Sequence, residues 1–398
     1  MSSWIQKVIL STEESEAPKR FYYWAALAAL AAVTRKNVYL DKFQYKLYTN
    51  IFVALVTGSG GRKGGPVVLG RNLVEEVKCT RIVMGRNSMP QVIKDLSKAY
   101  STEDGRIIKE AHGFLVSGEL ASFFVKDPDA LTILTDLYDT HAYEKIWRNS
   151  LKGTGVDTLH SPCVTLLGAT NEDHFSEAIP PNAIGGGFVA RTFIIFENEM
   201  QCINPLLTPP AHIISMKDLS EYLHEVSKVT GQFRLSTAAI TLYSAWYDMY
   251  AGSYKHQHDP TGTNKRIHDG ILKVAMLLSL AENFDMIVHK KHIEEALEEC
   301  LKCTGGMKQV TMGQGKSNLA YATKLVMQEL IRRPDHRLDR QKMLQKYWGQ
   351  FDSFDLDRIV ETLEGAGAIT VQRVGKTITY TMKQNVLEEY TKYRAEIN

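Results

Sequence analysis

The chain has 398 residues, 44% of them hydrophobic and 23% charged, which excludes a disordered tract or a bilayer-embedded bundle and leaves room for two or three globular domains. With 47 basic against 45 acidic residues the formal net charge is +2, so bulk charge draws it to neither nucleic acid nor membrane, and any such attraction must come from local patches. Five cysteines, an odd number and scattered apart from one Cys-x-x-Cys, argue against a disulfide framework and for a reducing compartment, the cytoplasm.

In chain order, the first element is the apolar run FYYWAALAALAAV, Phe21 to Val33. It is too short to cross a bilayer and follows acidic residues, unlike a signal peptide, so it reads as a buried helix. Two short runs, NVYLDKF and YKLYTN, joined by a turn, read as a strand pair. Residues 1–45 thus look like a helical lead-in. From 46 to 200 short apolar strands (IFVALVT, RIVMG, GFLVSG, CVTLLGAT, RTFIIFE) alternate with amphipathic helices near 66–78 and 88–99. That alternation predicts an α/β domain with a parallel sheet, whose ligands sit at the carboxyl ends of its strands. The Pro-rich passage NPLLTPPAH, Asn204 to His212, marks a boundary, and 216–305 beyond it is helical by periodicity, giving a helical domain at 201–315. Residues 316–398 give three helical segments and then AITVQRVGKTITYTM, two alternating strands around a Val-Gly-Lys turn, a pattern that suggests a winged helix.

The stretch VTGSGGRKGGPVV, residues 56–68, runs a strand into a glycine-rich turn and then a helix. A helix start presents unpaired N–H groups and the positive end of its dipole to an anion. Gly58, Ser59, Gly60, Gly61, Arg62, Lys63 and Gly64 are therefore candidate nucleotide-binding residues, with Lys63 reaching the β- and γ-phosphates. A plain Gly-rich turn is the alternative. The phosphate-loop pattern G-x-x-x-x-G-K-[ST] is broken twice: Arg62 stands for the last glycine, and Gly64 for the hydroxyl that would hold Mg²⁺.

Further along, HGFLVSGEL delivers Glu119 at a strand end, with Gly118 where an Asp is usual, and CVTLLGATN delivers Thr170 and Asn171 at the next. A Gly-rich turn in IPPNAIGGGFVARTFIIFE places Arg191 just before the last core strand. The span YEKIWRNSLKGTGVDTLHS alternates on both sides of LKGTG and predicts a hairpin with Lys152 at its tip and Lys145, Trp147 and Arg148 on one arm. Arg340, Lys342 and Lys346 on a helix, with Arg373 and Lys376 around the last turn, would make a phosphate-binding surface or simply a solvated face. Cys300 and Cys303 fit a helix core better than half a zinc site, since no second pair has the spacing.

Taken jointly, FYYWAALAALAAVTRKNVYLD, YTNIFVALVTGSGGRK, LVSGELASFF, LTDLYD, SPCVTLLGATNEDHF, AIGGGFVARTFIIFE and LKVAMLLSLAE resemble the helicase-type ATPases of phages and other mobile elements, which often accompany primases. These look like relatives of the AAA+ and superfamily 3 ring helicases. The resemblance covers most of residues 21–300 and implies an AAA+/RecA-like ATPase core at 46–200 and a helical lid at 201–315, ahead of the winged helix read at 316–398. It implies ATP with Mg²⁺, Lys63 as phosphate lysine, Glu119 as catalytic and metal-side carboxylate, Asn171 as sensor and Arg191 as a finger reaching a neighbouring subunit. It also implies a hexameric ring on single-stranded or forked DNA, gripped by the 143–161 hairpin through Lys145, Arg148 and Lys152 with Trp147 as a stacking face. Arg266 and Lys273 fall near where such a lid meets the γ-phosphate, with a solvated basic face as the alternative. The sequence departs from the family at Gly64, which leaves a nucleotide-binding but poorly hydrolysing loader or initiator as the second reading.

Overall fold

In the computed structural model, which describes residues 3–85, 88–101, 105, 107–120, 129–140, 142, 145–151, 155–172, 174–175, 187–206, 214–254, 261–311, 319–375, 377–384 and 386–387, the chain divides into two units, Met1–Met307 and Lys308–Asn398. The apolar run at the N-terminus forms α2 (Lys19–Thr34), buried without interruption from Trp24 to Thr34. Its alanines let other helices come close: α3 (Gly64–Val77), α6 (Met216–Lys228) and α8 (Thr263–Glu282) all pack on it. A Cβ at Gly70 of α3 would lie 3.3 Å from the Ala25 carbonyl and 2.8 Å from Leu167, so the α2–α3 contact requires glycine there. The segment expected as a lead-in is therefore the central helix of the first unit.

The main sheet holds five parallel strands: β3 (Phe52–Thr57), β4 (Arg81–Met84), β7 (Glu110–Ser117), β9 (Gly155–Asn171) and β10 (Thr192–Phe196). Their order is β10-β3-β9-β7-β4, with β8 (Ile146–Leu151) added antiparallel along β9. The fold is α/β with a parallel sheet, as the alternation predicts. Every residue of β3 is buried, as a central strand covered on both faces must be. Helices α4 (Met89–Ser97) and α5 (Ala130–Tyr138) join α2 and α3 as covers. A two-residue pair, β5 (Tyr100–Ser101) with β6 (Ile107–Ile108), stands apart.

The second sheet overturns the expected boundary at 201. Its order is β12-β11-β1-β2, in which β1 (Val38–Asp41) and β2 (Lys46–Tyr48) are the early strand pair. Strands β11 (Gly231–Leu235) and β12 (Ile287–Val288) come from the region read as wholly helical. With helices α7 (Thr237–Tyr254) and α9 (Lys290–Thr311), this region shares one core with α1 (Trp4–Ser11) and α2, so the segments expected as lead-in, ATPase core and lid fall in a single unit up to Met307. Strand β11 escapes sequence reading because only Phe233 in it is buried and its register comes from β1, nearly 200 residues away.

The second unit has α10 (Ala320–Arg332), β13 (Arg337–Asp339), α11 (Arg340–Tyr347), α12 (Ser353–Gly365), β14 (Ile369–Val374) and β15 (Thr377–Met382). The three strands form an antiparallel sheet ordered β13-β15-β14 over a core that includes Val326, Leu330, Met343, Leu356 and Tyr380. The expected three helices and strand pair are present, with β13 in addition. Asp352 caps α12 by accepting from the amides of Phe354 and Asp355. Among the described residues no helix is long and apolar enough to cross a membrane.

One core residue sets an acid limit on stability. His112 in β7 is 6% exposed, and neither ring nitrogen has a hydrogen-bond partner among the described residues. Burial, with added repulsion from Arg35, Lys36 and Arg81, lowers its pKa to about 3. Between that value and its unfolded value of about 6.5 only the unfolded chain takes the proton, so stability falls as pH drops through this window. In His112→Leu the fall in urea midpoint from pH 6.5 to pH 4 should be shallower than in the parent; equal slopes would show that the imidazole is not what titrates.

Candidate functional site

The glycine-rich loop lies at the carboxyl edge of the main sheet, where β3 ends at Thr57 and α3 begins at Gly64. Three features keep it in this shape. Gly60 and Arg62 take left-handed backbone (φ 84° and 55°), which glycine adopts without cost and arginine only with strain. A Cβ at Gly61 would collide with the Thr57 hydroxyl. Asn198, just after the neighbouring strand β10, accepts through Oδ1 from the Gly58 amide at 2.8 Å and from Thr57 Oγ1 at 3.2 Å. Asn198 was not legible as a site residue; its only sequence signal is its place just past the end of the last core strand.

The amides of Gly61 and Arg62 donate inside the turn, to the carbonyls of Gly58 and Gly60. With Gly58 engaged by Asn198, the part of the loop that faces outward is the start of α3. No side chain caps that helix, its first turn holds no acidic residue, and Gly64 and Gly65 are exposed. The first amides of a helix have no partner within it, so this end attracts an anion. Ser59 is exposed at the crown of the turn. Arg62, 62% exposed, meets Glu16 Oε2 at 2.8 Å, so it fastens the loop to the N-terminal segment.

Strand β9 lies between β3 and β7 and brings the other candidates to the loop. Its last residue, Asn171, is in register with Thr57, and Lys63 Nζ donates to Asn171 Oδ1. One residue earlier, Thr170 Oγ1 donates to Glu119 Oε1 at 2.7 Å. The Leu120 amide donates to the Ala169 carbonyl at 2.7 Å, which holds the end of the Glu119 segment against β9. His174 Nδ1 lies 3.6 Å from Glu119 Oε2. Lys63, Asn171, Thr170 and Glu119, more than a hundred residues apart at the extremes, thus form one chain of contacts at one edge of the sheet. A lysine beside a helix start can neutralise phosphate charge, and a held carboxylate can orient a water.

The fit to magnesium is poor. Among the described residues no atom lies within 4 Å of a Cβ built at Gly64 or at Gly118, so none of them fills either place where the motif lacks a metal-side group. Glu119 is the carboxylate bonded into this chain of contacts, and among the described residues no group of three or more His, Cys, Asp or Glu side chains could hold a metal. A hard cation here would take most of its oxygens from phosphate and water.

Several expected residues have other roles. Arg191 does not project as a finger. It is 7% exposed, bonds Asp139 through Nε at 3.1 Å and through Nη2, and donates from Nη1 to the Gly187 carbonyl at 2.9 Å. Gly187, the described glycine before it, serves this packing, because it is at φ 89° and a Cβ there would strike the guanidinium. Lys273 is likewise no γ-phosphate contact: it is 3% exposed, donates to Asn50 O at 2.8 Å and Asn50 Oδ1 at 2.9 Å, and sits 3.9 Å from the Tyr138 ring centroid. Arg266 is half-exposed and 4.0 Å from Asp139. These groups lie by the amino ends of β3 and β10, opposite the loop.

The hairpin β8–β9 is present, with Lys145 and Arg148 exposed, while Lys152 at the expected tip lies outside the described residues. Trp147 is no stacking face: it is 5% exposed and its indole donates to Asp136 at 3.3 Å. In the second unit much of the expected basic surface is internally neutralised. Arg340 forks onto Asp357 at 3.0 and 3.1 Å, Lys346 meets Glu329 at 2.7 Å, and Lys342 is 3.7 Å from Asp339. Arg373 is exposed, and Lys376 lies outside the described residues. Cys300 and Cys303 are buried free thiols whose pKa values burial raises.

Compared with protein-family models and with curated proteins, the sequence matches none.

Two pairs of substitutions test this geometry. Gly61→Ala should cost about 1–3 kcal/mol through collision with Thr57, whereas Gly64→Ala, in open space at a helix start, should be neutral or stabilise by up to about 1 kcal/mol in urea unfolding. Asp139→Ala, which leaves the buried Arg191 guanidinium uncompensated, should cost about 3 kcal/mol, while Arg266→Ala should stay within about 1 kcal/mol.

Proposed function

We propose that this chain binds ATP at the 58–64 loop and acts as an ATP-dependent, ring-forming DNA translocase or helicase in the replication of a phage or mobile element. The observation that carries the reading is the contact chain Lys63–Asn171 and Thr170–Glu119 beside an uncapped helix start. In this reading Lys63 and the first amides of α3 hold the phosphates, and Lys63 exchanges its bond to Asn171 for phosphate oxygen. Asn171 and Thr170 then position the attacking water and Glu119, and Glu119 polarises that water. The strand order supports an AAA+/RecA-like core: numbered along the chain the parallel strands run 5-1-4-3-2, so the sensor strand separates the loop strand from the Glu119 strand.

The helix–strand–helix–helix–strand–strand order of the second unit supports a winged helix, and the region beyond 214 supports a lid. Exposed Lys145 and Arg148 on the β8 arm, and Arg373 beside the last turn, are the DNA contacts this reading retains. Single-stranded or forked DNA, a homo-hexamer, a primase partner and a cytoplasmic location belong to the same proposal. Arg191 is given a structural role in place of a finger.

A second reading is favoured by Gly64 together with the inward Arg191: a nucleotide-binding, slowly hydrolysing loader or initiator that works as a scaffold on DNA. Mg²⁺ is implied by either reading, and no step is assigned to it because the protein-side donor set is incomplete.

The two readings separate in a steady-state ATPase assay with and without single-stranded DNA. Lys63→Ala should weaken ATP binding at least tenfold, and Glu119→Gln should bind normally but lose turnover. DNA-stimulated turnover in the parent supports the motor; binding without turnover supports the scaffold. Gly64→Ser fits without a clash and should raise a slow turnover about tenfold or more. ATP binding that is indifferent to Lys63→Ala would remove the loop from the site and both readings with it.

A further inference from the structure

At the amino edge of the main sheet, opposite the loop, lies a cavity of about 70 Å³ lined by Tyr138, Asp139, Arg191, Arg266, Asp269 and Lys273, among others. It is separated from the loop by the length of β3, roughly 20 Å at about 3.3 Å per residue. Its charges do not balance. Both oxygens of Asp139 are taken by Arg191. Asp269 Oδ1 accepts from Lys42 at 2.7 Å and Oδ2 from the Tyr45 hydroxyl at 2.8 Å, with His268 Nε2 3.5 Å from Oδ1. Among the described residues two cations, Lys273 and Arg266, remain without a carboxylate of their own. Among the described residues Lys273, buried, is hydrogen-bonded only to the neutral Asn50 and rests on the face of Tyr138, with Asp269 and Asp139 acting on it through space but not bonded to it. Arg266, half-exposed, comes no nearer than 4.0 Å to an Asp139 carboxylate that Arg191 already occupies. A buried ammonium with no carboxylate bonded to it has given up hydration that its neutral partners replace only in part, and an anion drawn in beside it offsets that loss.

We propose that this cavity is a second anion site, in which Arg266 supplies the donors and Lys273 the buried charge for one small oxyanion, an inorganic phosphate or a simple carboxylate. A cavity of about 70 Å³ takes one small oxyanion, the class of ligand that a guanidinium and an ammonium engage together. The cation–π face of Tyr138 and the Asn50 clamp fix Lys273 in place, so the site is formed before the ligand arrives. It uses none of the loop residues and stands whether or not the loop binds ATP.

The experiment is calorimetric titration of the full chain with inorganic phosphate, and separately with acetate, in a Lys63→Ala background that removes the loop's lysine; any phosphate still held by the amides of α3 is indifferent to Arg266→Gln. One phosphate per chain should bind, with the affinity at least tenfold weaker in Arg266→Gln and lost in Lys273→Met. Acetate that competes with phosphate identifies a general oxyanion site; acetate that does not bind identifies phosphate as the ligand. Arg266→Gln is half-exposed and keeps the test decisive if Lys273→Met fails to fold. The inference is overturned if phosphate does not bind the Lys63→Ala chain, if it binds with the same affinity in Arg266→Gln, or if binding appears only in the parent with nucleotide present, the mark of a phosphate carried on a neighbouring copy.

Discussion

The insertion of β9 between β3 and β7 is the constraint on which the candidate site depends. Parallel pairing fixes Thr57 opposite Asn171 and Ser117 opposite Gly168, and no other register would put Lys63 against Asn171 and Glu119 against Thr170 together. A slip of one residue would turn every side chain of β9 to the other face. Gly168 protects the register, since a Cβ there would lie 2.6 Å from Leu120 and push away the segment that carries Glu119.

The two edges of this sheet are built differently. At the amino edge Asn50 is a junction: its amide donates to the Tyr138 and Val164 carbonyls at 3.0 and 3.3 Å, and its oxygen accepts from Lys273. Together with the Asp139–Arg191 pair it ties α5, β9 and α8 to the start of β3, a tightly bonded polar layer of the kind that rigidifies a fold when its members are satisfied. At the carboxyl edge the glycine loop is exposed and is held by Asn198 and Glu16 from outside. The carboxyl edge presents backbone to solvent from a fixed frame, as binding loops do, whereas the amino edge presents side chains already held in place.

Helix α2 joins these edges to the second sheet. Buried along nearly its whole length, it contacts α3 behind the loop and α8 above the cavity. Tyr22 on α2 meets the loop end, where a Cβ at Gly65 would come within 2.9 Å of its hydroxyl. Arg20, at the start of the same helix, bonds Glu197 after β10 at 2.6 Å and Glu299 of α9 at 3.1 Å. Changes in the loop and in the α8–α9 region therefore bear on one helix, without an intervening flexible joint among these residues.

The sequence by itself determined the alternation of strands and helices, the loop at 58–64, and the strand ends that carry Glu119, Thr170 and Asn171. Each of these is a local pattern: apolar runs of strand length, glycines where backbone turns sharply, polar residues at the stops. Tertiary structure decided what those patterns could not contain. The inward turn of Arg191 depends on Asp139, 52 positions away, and the burial of Lys273 on Asn50, 223 away. The membership of β1 and β2 in a sheet with β11 and β12 depends on pairing that no short window holds. An exposed cation and a buried one look alike in sequence, because the difference is the partner that desolvation requires, and that partner is chosen only when the chain folds.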